Sequence, residues 1–181
     1  QAAVKLAVIM NLFIQMFRYA AEPFFFQRAK DKNSKELYAV VMEYFTAFCG
    51  LVLLGVVAYI DVISLFLGRD FRVGVGVVPI MLLSYMLLGM LFNVSMWYKL
   101  SGRTNMAIWI TLAGLLVTTV VNVVFMPHYS YWASDFGHLA SYLTMFILCA
   151  ALGAKYYPIP YKWKRIGLLF VTMGVAYVGI F

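Results

Sequence analysis

Six long apolar runs, at about residues 4–26, 40–67, 74–98, 105–126, 133–154 and 166–181, are separated by short polar connections. A helix needs about 20 apolar residues to cross the hydrocarbon core of a bilayer, and the first five runs reach that length. Within lipid every backbone N–H and C=O must find its partner inside the protein, which leaves helices or closed barrels. The alternating pattern of a barrel strand is missing, so the runs predict helices. Composition agrees: 65% of the 181 residues are hydrophobic, 12% are charged, and the mean hydropathy is +0.89. Soluble domains carry about half apolar and a quarter charged residues. The expected fold is therefore an all-α membrane protein, one six-helix bundle over residues 1–181. The short connections near 27–39, 68–73, 99–104, 127–132 and 155–165 favour antiparallel neighbours. The last run stops at Phe181 without a polar tail and the first opens at Gln1, so the chain reads as part of a longer protein. The first run is long, holds Arg18 and lacks a small-residue cleavage site after it, unlike a cleaved signal peptide.

The net charge of +7 would suit nucleic acid, but the cations form short clusters between apolar runs rather than a basic face. They read as topology signals, with no nucleic-acid partner. The first connection holds Arg28, Lys30, Lys32 and Lys35, the third Lys99 and Arg103, and the fifth Lys155, Lys162, Lys164 and Arg165. The second has only Arg69 and Arg72, beside Asp70, and the fourth only His128. Cation-rich loops stay cytoplasmic, so loops 27–39, 99–104 and 155–165 are expected there. Trp97, Tyr98, Tyr156, Tyr157, Tyr161 and Trp163 would form the aromatic belt of that side.

One charge pair lies inside an apolar run, in "FRYAAEPFFFQRAKDKNSKELY". Arg18 sits nine residues before Gln27, roughly 13 Å at 1.5 Å per residue, near the middle of a core ~30 Å thick. Such a charge faces the bundle or a water-filled cavity and takes a partner. Glu22, four residues on, shares its helical face. The two form either a neutralised structural pair or a site in which Arg18 attracts an anionic group and Glu22 holds it in place. Pro23 is expected to kink or end the helix.

Weaker polar signals follow. Asp61 is a proton or cation candidate near the outer end of the second run, or an interfacial helix-end charge. Asp135, His138 and Tyr142 share one face with Met145 and Cys149; Asp135 and His138 are coupling-ion candidates, against a cap and a packed interface group. Thr111, Gly114, Thr118 and Asn122 form a small-polar stripe that means close helix packing. Asn93, one turn after Gly89, is a substrate-binding candidate with the same alternative. Pro79 is expected to bend the third helix. Cys49 and Cys149 lie in apolar runs without a CxxC or a His at ligand spacing, which predicts neither a disulfide framework nor a metal site.

Four stretches, in order, resemble the polysaccharide and oligosaccharide flippases of the multidrug/oligosaccharidyl-lipid/polysaccharide superfamily. They are "FRYAAEPFFFQRAKDKNSKELYAVVMEYF", "VPIMLLSYMLLGMLFNVSMWYKLSGRTN", "ITLAGLLVTTVVNVVFMPHYSYWASDFGHLASYL" and "GAKYYPIPY", and they cover most of the chain. The resemblance implies a C-terminal lobe, lacking its N-terminal partner, of a transporter with about 12 to 14 helices around a central cavity. It implies a multi-pass protein of the bacterial inner membrane that moves an undecaprenyl-diphosphate-linked oligosaccharide outward by alternating access. In related lipid II flippases an arginine from this region faces the cavity, and Arg18 is the matching position. The outer turn departs from the family: "HYSYWASDFGH" has Ser130 where glycine is usual, and places Asp135 and His138 at a helix start that is normally apolar.

Such a transporter needs membrane lipids and its lipid-linked cargo as partners, no cofactor and no catalytic residue. A membrane-embedded glycan-processing enzyme would want clustered carboxylates, His or Arg at one interface, where the outer connections offer only Asp70, His128 and Asp135. A multidrug antiporter of the same superfamily is the nearer alternative, but its cationic cargo suits buried acids better than a central arginine. No GxxxxGK[ST] loop is present, which speaks against ATP hydrolysis.

Overall fold

Residues 2–62, 76–129 and 131–180 are described here from a computed structural model, and all regular structure among them is helical. The helices are α1 (Ala2–Arg28), α2 (Ser34–Ala58), α3 (Val78–Val94), α4 (Met96–Leu100), α5 (Asn105–Tyr129), α6 (Tyr131–Tyr156) and α7 (Trp163–Ile180). Among the described residues, five stretches are long and apolar enough to cross a membrane: Ser34–Ala58, Val78–Leu100, Asn105–His128, Trp132–Tyr156 and Trp163–Ile180. Helix α1 has the length, 27 residues, but interrupts its apolar run with Asn11, Gln15, Arg18 and Glu22. The two outermost helices are nearly bare. The apolar windows of α5 and α7 are only 11% and 6% buried, and Leu116, Val123, Val171 and Val178 stand exposed. Helices that are apolar on their outward faces belong against acyl chains rather than water, which suits a membrane-embedded protein.

Helix α3 is the hub. It packs against α1, α2 and α6, while α5 packs on α6 and α7 on α2. Its buried side chains Val78, Leu82, Met86, Met90 and Val94 join Ile14 of α1, Met42 and Cys49 of α2, and Cys149 of α6 in one core. Short connections predict that chain neighbours pack together, and α5–α6 do. Helix α7 packs chiefly on α2, and meets α6 where the Trp163 ring stands edge-on to Phe146 at 5.9 Å. Pro158 and Pro160 cannot continue a helix, so residues 157–162 run without regular structure between α6 and α7.

Several boundaries differ from the sequence expectation. Helix α2 begins at Ser34, not near residue 40, because its first turns are anchored: the Tyr38 hydroxyl donates to the Phe25 carbonyl at 2.9 Å, and the two rings meet edge-on at 4.9 Å. That carbonyl lies in the last turn of α1, where no intrahelical donor remains. Pro23 does not end α1, which runs on to Arg28. Pro79 stands in the first turn of α3, where a missing N–H costs no helical bond, so it does not bend that helix. The interruption falls instead at Ser95, between α3 and α4, where the hydroxyl donates to the Phe92 carbonyl at 2.7 Å. Helix α4 ends with Gly102 at φ 71°, the Gly102 amide donating to Lys99 and the Arg103 amide to Tyr98. This is the glycine-terminated helix stop, and it leaves Lys99 in the last helical turn rather than in a loop. Helix α5 runs on to Tyr129 and α6 begins at Tyr131, so most of the connection expected near 127–132 is helical. The expected second connection, with Arg69, Asp70 and Arg72, and the unusual Ser130 lie outside the described residues.

The cation-rich ends gather together. Lys35 lies over the Tyr157 ring and Arg103 over the Tyr156 ring, each at 4.5 Å, so the start of α2, the α4–α5 turn and the end of α6 meet at one end of the bundle.

Candidate functional site

In α1, Phe17, Arg18, Ala21, Glu22 and Phe25 recur at the spacing of one helical face. That face meets the end of α3 and the start of α4, and the side chains enclose a cleft completed by Phe92, Asn93, Met96 and Lys99. The three substrate-binding candidates, Arg18, Glu22 and Asn93, thus line one cleft. A fourth polar group, Lys99, had read as a topology cation.

The geometry of the charges differs from a simple Arg18–Glu22 pair. Glu22 Oε1 accepts from Lys99 Nζ at 2.6 Å, whereas Glu22 Oε2 lies 3.9 Å from Arg18 Nε, too far for a hydrogen bond. Arg18 Nε is buried and makes no hydrogen bond, and its guanidinium carbon stands 4.5 Å from the centre of the Phe92 ring. Glu22 is therefore shared by two cations, held tightly by one and loosely by the other, and the cleft carries one positive charge in excess. Asn93 is buried, 5% exposed. Its amide nitrogen donates to the Gly89 carbonyl at 3.3 Å while Oδ1 has no partner. Gly89 itself serves packing, facing Phe45 and Ile14. The space left for water in the cleft is about 10 Å³, enough for about one molecule.

Chemically, such a site attracts an anion. A guanidinium presents a planar fork of donors and an ammonium three rotatable ones, and both match phosphate oxygens. The flanking Phe92 and Met96 exclude water on one side, which strengthens attraction.

The coupling-ion candidates fall elsewhere. Asp135, His138 and Tyr142 of α6 line a cavity of about 100 Å³ with Met81, Ser84 and Tyr85 of α3. Their expected stripe-mates Met145 and Cys149 turn to the packed interior: Met145 lies against Gly114 of α5, and the Cys149 carbonyl accepts from Trp97 Nε1 at 3.0 Å. Asp61 stands exposed beyond the end of α2 and lines neither cavity. In the α5 stripe, the Gly114 carbonyl accepts from Ser141 at 2.9 Å, and Asn122 faces Gly137. Thr111 is exposed. Cys49 and Cys149 are free and buried.

Lys99 was missed because its neighbours Trp97, Tyr98 and Arg103 make it look like one member of an interfacial cluster. The signal that could have found it is the turn "KLSGRT", whose glycine marks the helix stop and so leaves Lys99 inside the last helical turn. Comparison with family models, curated proteins and solved structures gives no match to this chain.

Proposed function

We propose that this chain forms most of the C-terminal lobe of a flippase that moves a diphosphate-linked lipid oligosaccharide from the inner to the outer leaflet of the bacterial plasma membrane, working with an N-terminal lobe. The observation that carries the reading is the cleft between α1 and α3–α4, where Arg18 and Lys99 stand with only Glu22 to balance them. It is supported by the four stretches that resemble the family and by the gathering of the cation-rich ends around Tyr156 and Tyr157.

In this reading the sixth span is α1, whose polar residues face the transport cavity instead of lipid. The end of the bundle with Lys35, Arg103 and Lys155 is cytoplasmic. The cleft engages the diphosphate from that side; the Asn93 carbonyl oxygen is free to accept from a sugar or lipid hydroxyl. An inside-negative potential favours outward movement of the anionic headgroup by about 2.3 kcal/mol per charge per 100 mV. Asp135 and His138, if they bind a coupling ion, do so in a cavity apart from the anion cleft.

The test is made in cells that depend on the transporter. Arg18→Ala and Arg18→Lys are expressed separately, membrane levels are matched, and surface glycan is assayed with its inner-leaflet lipid-linked precursor. The expected result is loss of export and accumulation of precursor with Ala, and partial rescue with Lys. Normal export from both variants would sink the assignment of Arg18.

A further inference from the structure

Glu22 occupies the place an anionic ligand would take. Its carboxylate lies between the ammonium of Lys99, at 2.6 Å, and the guanidinium of Arg18, at 3.9 Å. The room left inside the cleft is about that of one water, so a phosphate group does not fit between the two cations while the carboxylate stays where it is. At the same time the site is not electrostatically satisfied. Arg18 Nε is buried without a hydrogen bond, and Asn93, nine-tenths buried, leaves Oδ1 unpartnered in the same cleft. A purely structural ion pair would saturate its donors, because an unpaired buried polar group is costly.

We infer that Glu22 is a resident stand-in for the anionic headgroup: a diphosphate displaces its carboxylate from Lys99 and Arg18, and Lys99 then becomes the second cation of the binding site. This rests on the transport reading above and deepens it. Two consequences separate it from the view that Glu22 merely holds Arg18 in place. A holder, once removed, weakens binding; a competitor, once removed, strengthens it. Because Glu22 and Lys99 lie on different helices, 77 residues apart in sequence, exchange also releases a tie between α1 and α4. Ligand entry thereby frees the two walls of the cleft to separate, as alternating access requires. In the empty protein Glu22 offsets one of the two positive charges and fills the space between them, which limits binding of stray small anions.

The test uses the purified protein in lipid nanodiscs, titrated with inorganic pyrophosphate and with farnesyl diphosphate by calorimetry. Glu22→Gln is expected to bind both probes about tenfold more tightly, equivalent to about 1.4 kcal/mol. Lys99→Gln is expected to bind them more weakly, and to lose more affinity in the Glu22→Gln background than in the native chain, since only there is the ammonium free from the start. If Glu22→Gln does not elute as a single species, Glu22→Asp replaces it; its shorter arm lengthens the contact with Lys99, and a smaller gain is expected. Unchanged or weaker binding by the Glu22 variant overturns the inference, as does failure of every variant to bind either probe. If the Glu22 variant fails to gain affinity while Arg18→Ala still abolishes binding and export, exchange is wrong and the transport reading stands. If neither probe binds and Arg18→Ala exports normally, both fall together.

Discussion

Trp97 shows how much a single side chain can hold together in this bundle. It is 1% exposed, donates its indole N–H to the Cys149 carbonyl at 3.0 Å, and stacks on Tyr156 with ring centres 6.0 Å apart. Gly153 lies directly beneath it: a methyl group there would stand 2.8 Å from the indole Cδ1. The sequence marks Trp97 only as an interfacial aromatic, since nothing local says that α6 will meet α4 here. Trp97→Phe removes the hydrogen bond and part of the buried ring, and is expected to cost about 1–2 kcal/mol. Trp97→Ala is expected to cost about 3–5 kcal/mol. Both are read as a drop in the apparent Tm of the detergent-solubilised protein; an unchanged Tm for Trp97→Ala would contradict the packing described. At this same scale Arg18 and Glu22 were legible, because i and i+4 on a helix are neighbours whatever the rest of the chain does. Lys99 was not, because its partner lies on another helix.

At the scale of the helix, two glycines make opposite forecasts although both sit at close helix crossings. A methyl at Gly89 meets the ring of Phe45, which is buried and held 4.5 Å from the Phe17 ring. A methyl at Gly114 meets the thioether of Met145, an unbranched side chain that can swing aside. Gly89→Ala is therefore expected to destabilise by about 1–3 kcal/mol, the range for overpacking a filled core. Gly114→Ala is expected to cost less than about 1 kcal/mol, because alanine's better helix propensity offsets part of the displacement. Thermal unfolding of the two variants side by side checks the order, and a larger loss at Gly114 would refute it. The small-polar stripe 111–122 announced close packing, and α5 does press Gly114 and Asn122 onto α6. Its partner, α6, was legible only from the short connection between the two helices, not from the stripe itself. The helix bounds were mostly legible from the apolar runs, except where side-chain anchors moved them, as Tyr38 extends α2 to Ser34. Proline was misread for want of its position within the turn: Pro79 looked like a mid-helix bend and is a helix start.

For the molecule as a whole, the testable matter is which ends lie together and on which side. Lys35, Arg103 and Lys155 converge on the Tyr156–Tyr157 pair, so cysteines placed at Lys32, Thr104 and Lys162 are expected to react with a membrane-impermeant maleimide from the same face. In intact cells that face is expected to be protected, becoming reactive only when the inner membrane is opened, while a cysteine at His128 reacts without opening. The native cysteines give a quiet background, since Cys49 and Cys149 are both fully buried. Reaction of the three sites from different faces would overturn the shared end. The sequence by itself determined that the chain is helical, where its long apolar helices fall, and that Arg18 and Glu22 share a face. Hydropathy and the 3.6-residue repeat are local properties that need no tertiary contact to act. Only the tertiary structure decided that α3 is the hub, that α7 packs chiefly on α2, and that Lys99 closes on Glu22 across 77 residues. Helices that are apolar on nearly every face carry no written instruction about which face meets which neighbour. That choice is made by the fit of glycines against Phe45, Met145 and Trp97, and it is this fit that brings two cations to one carboxylate.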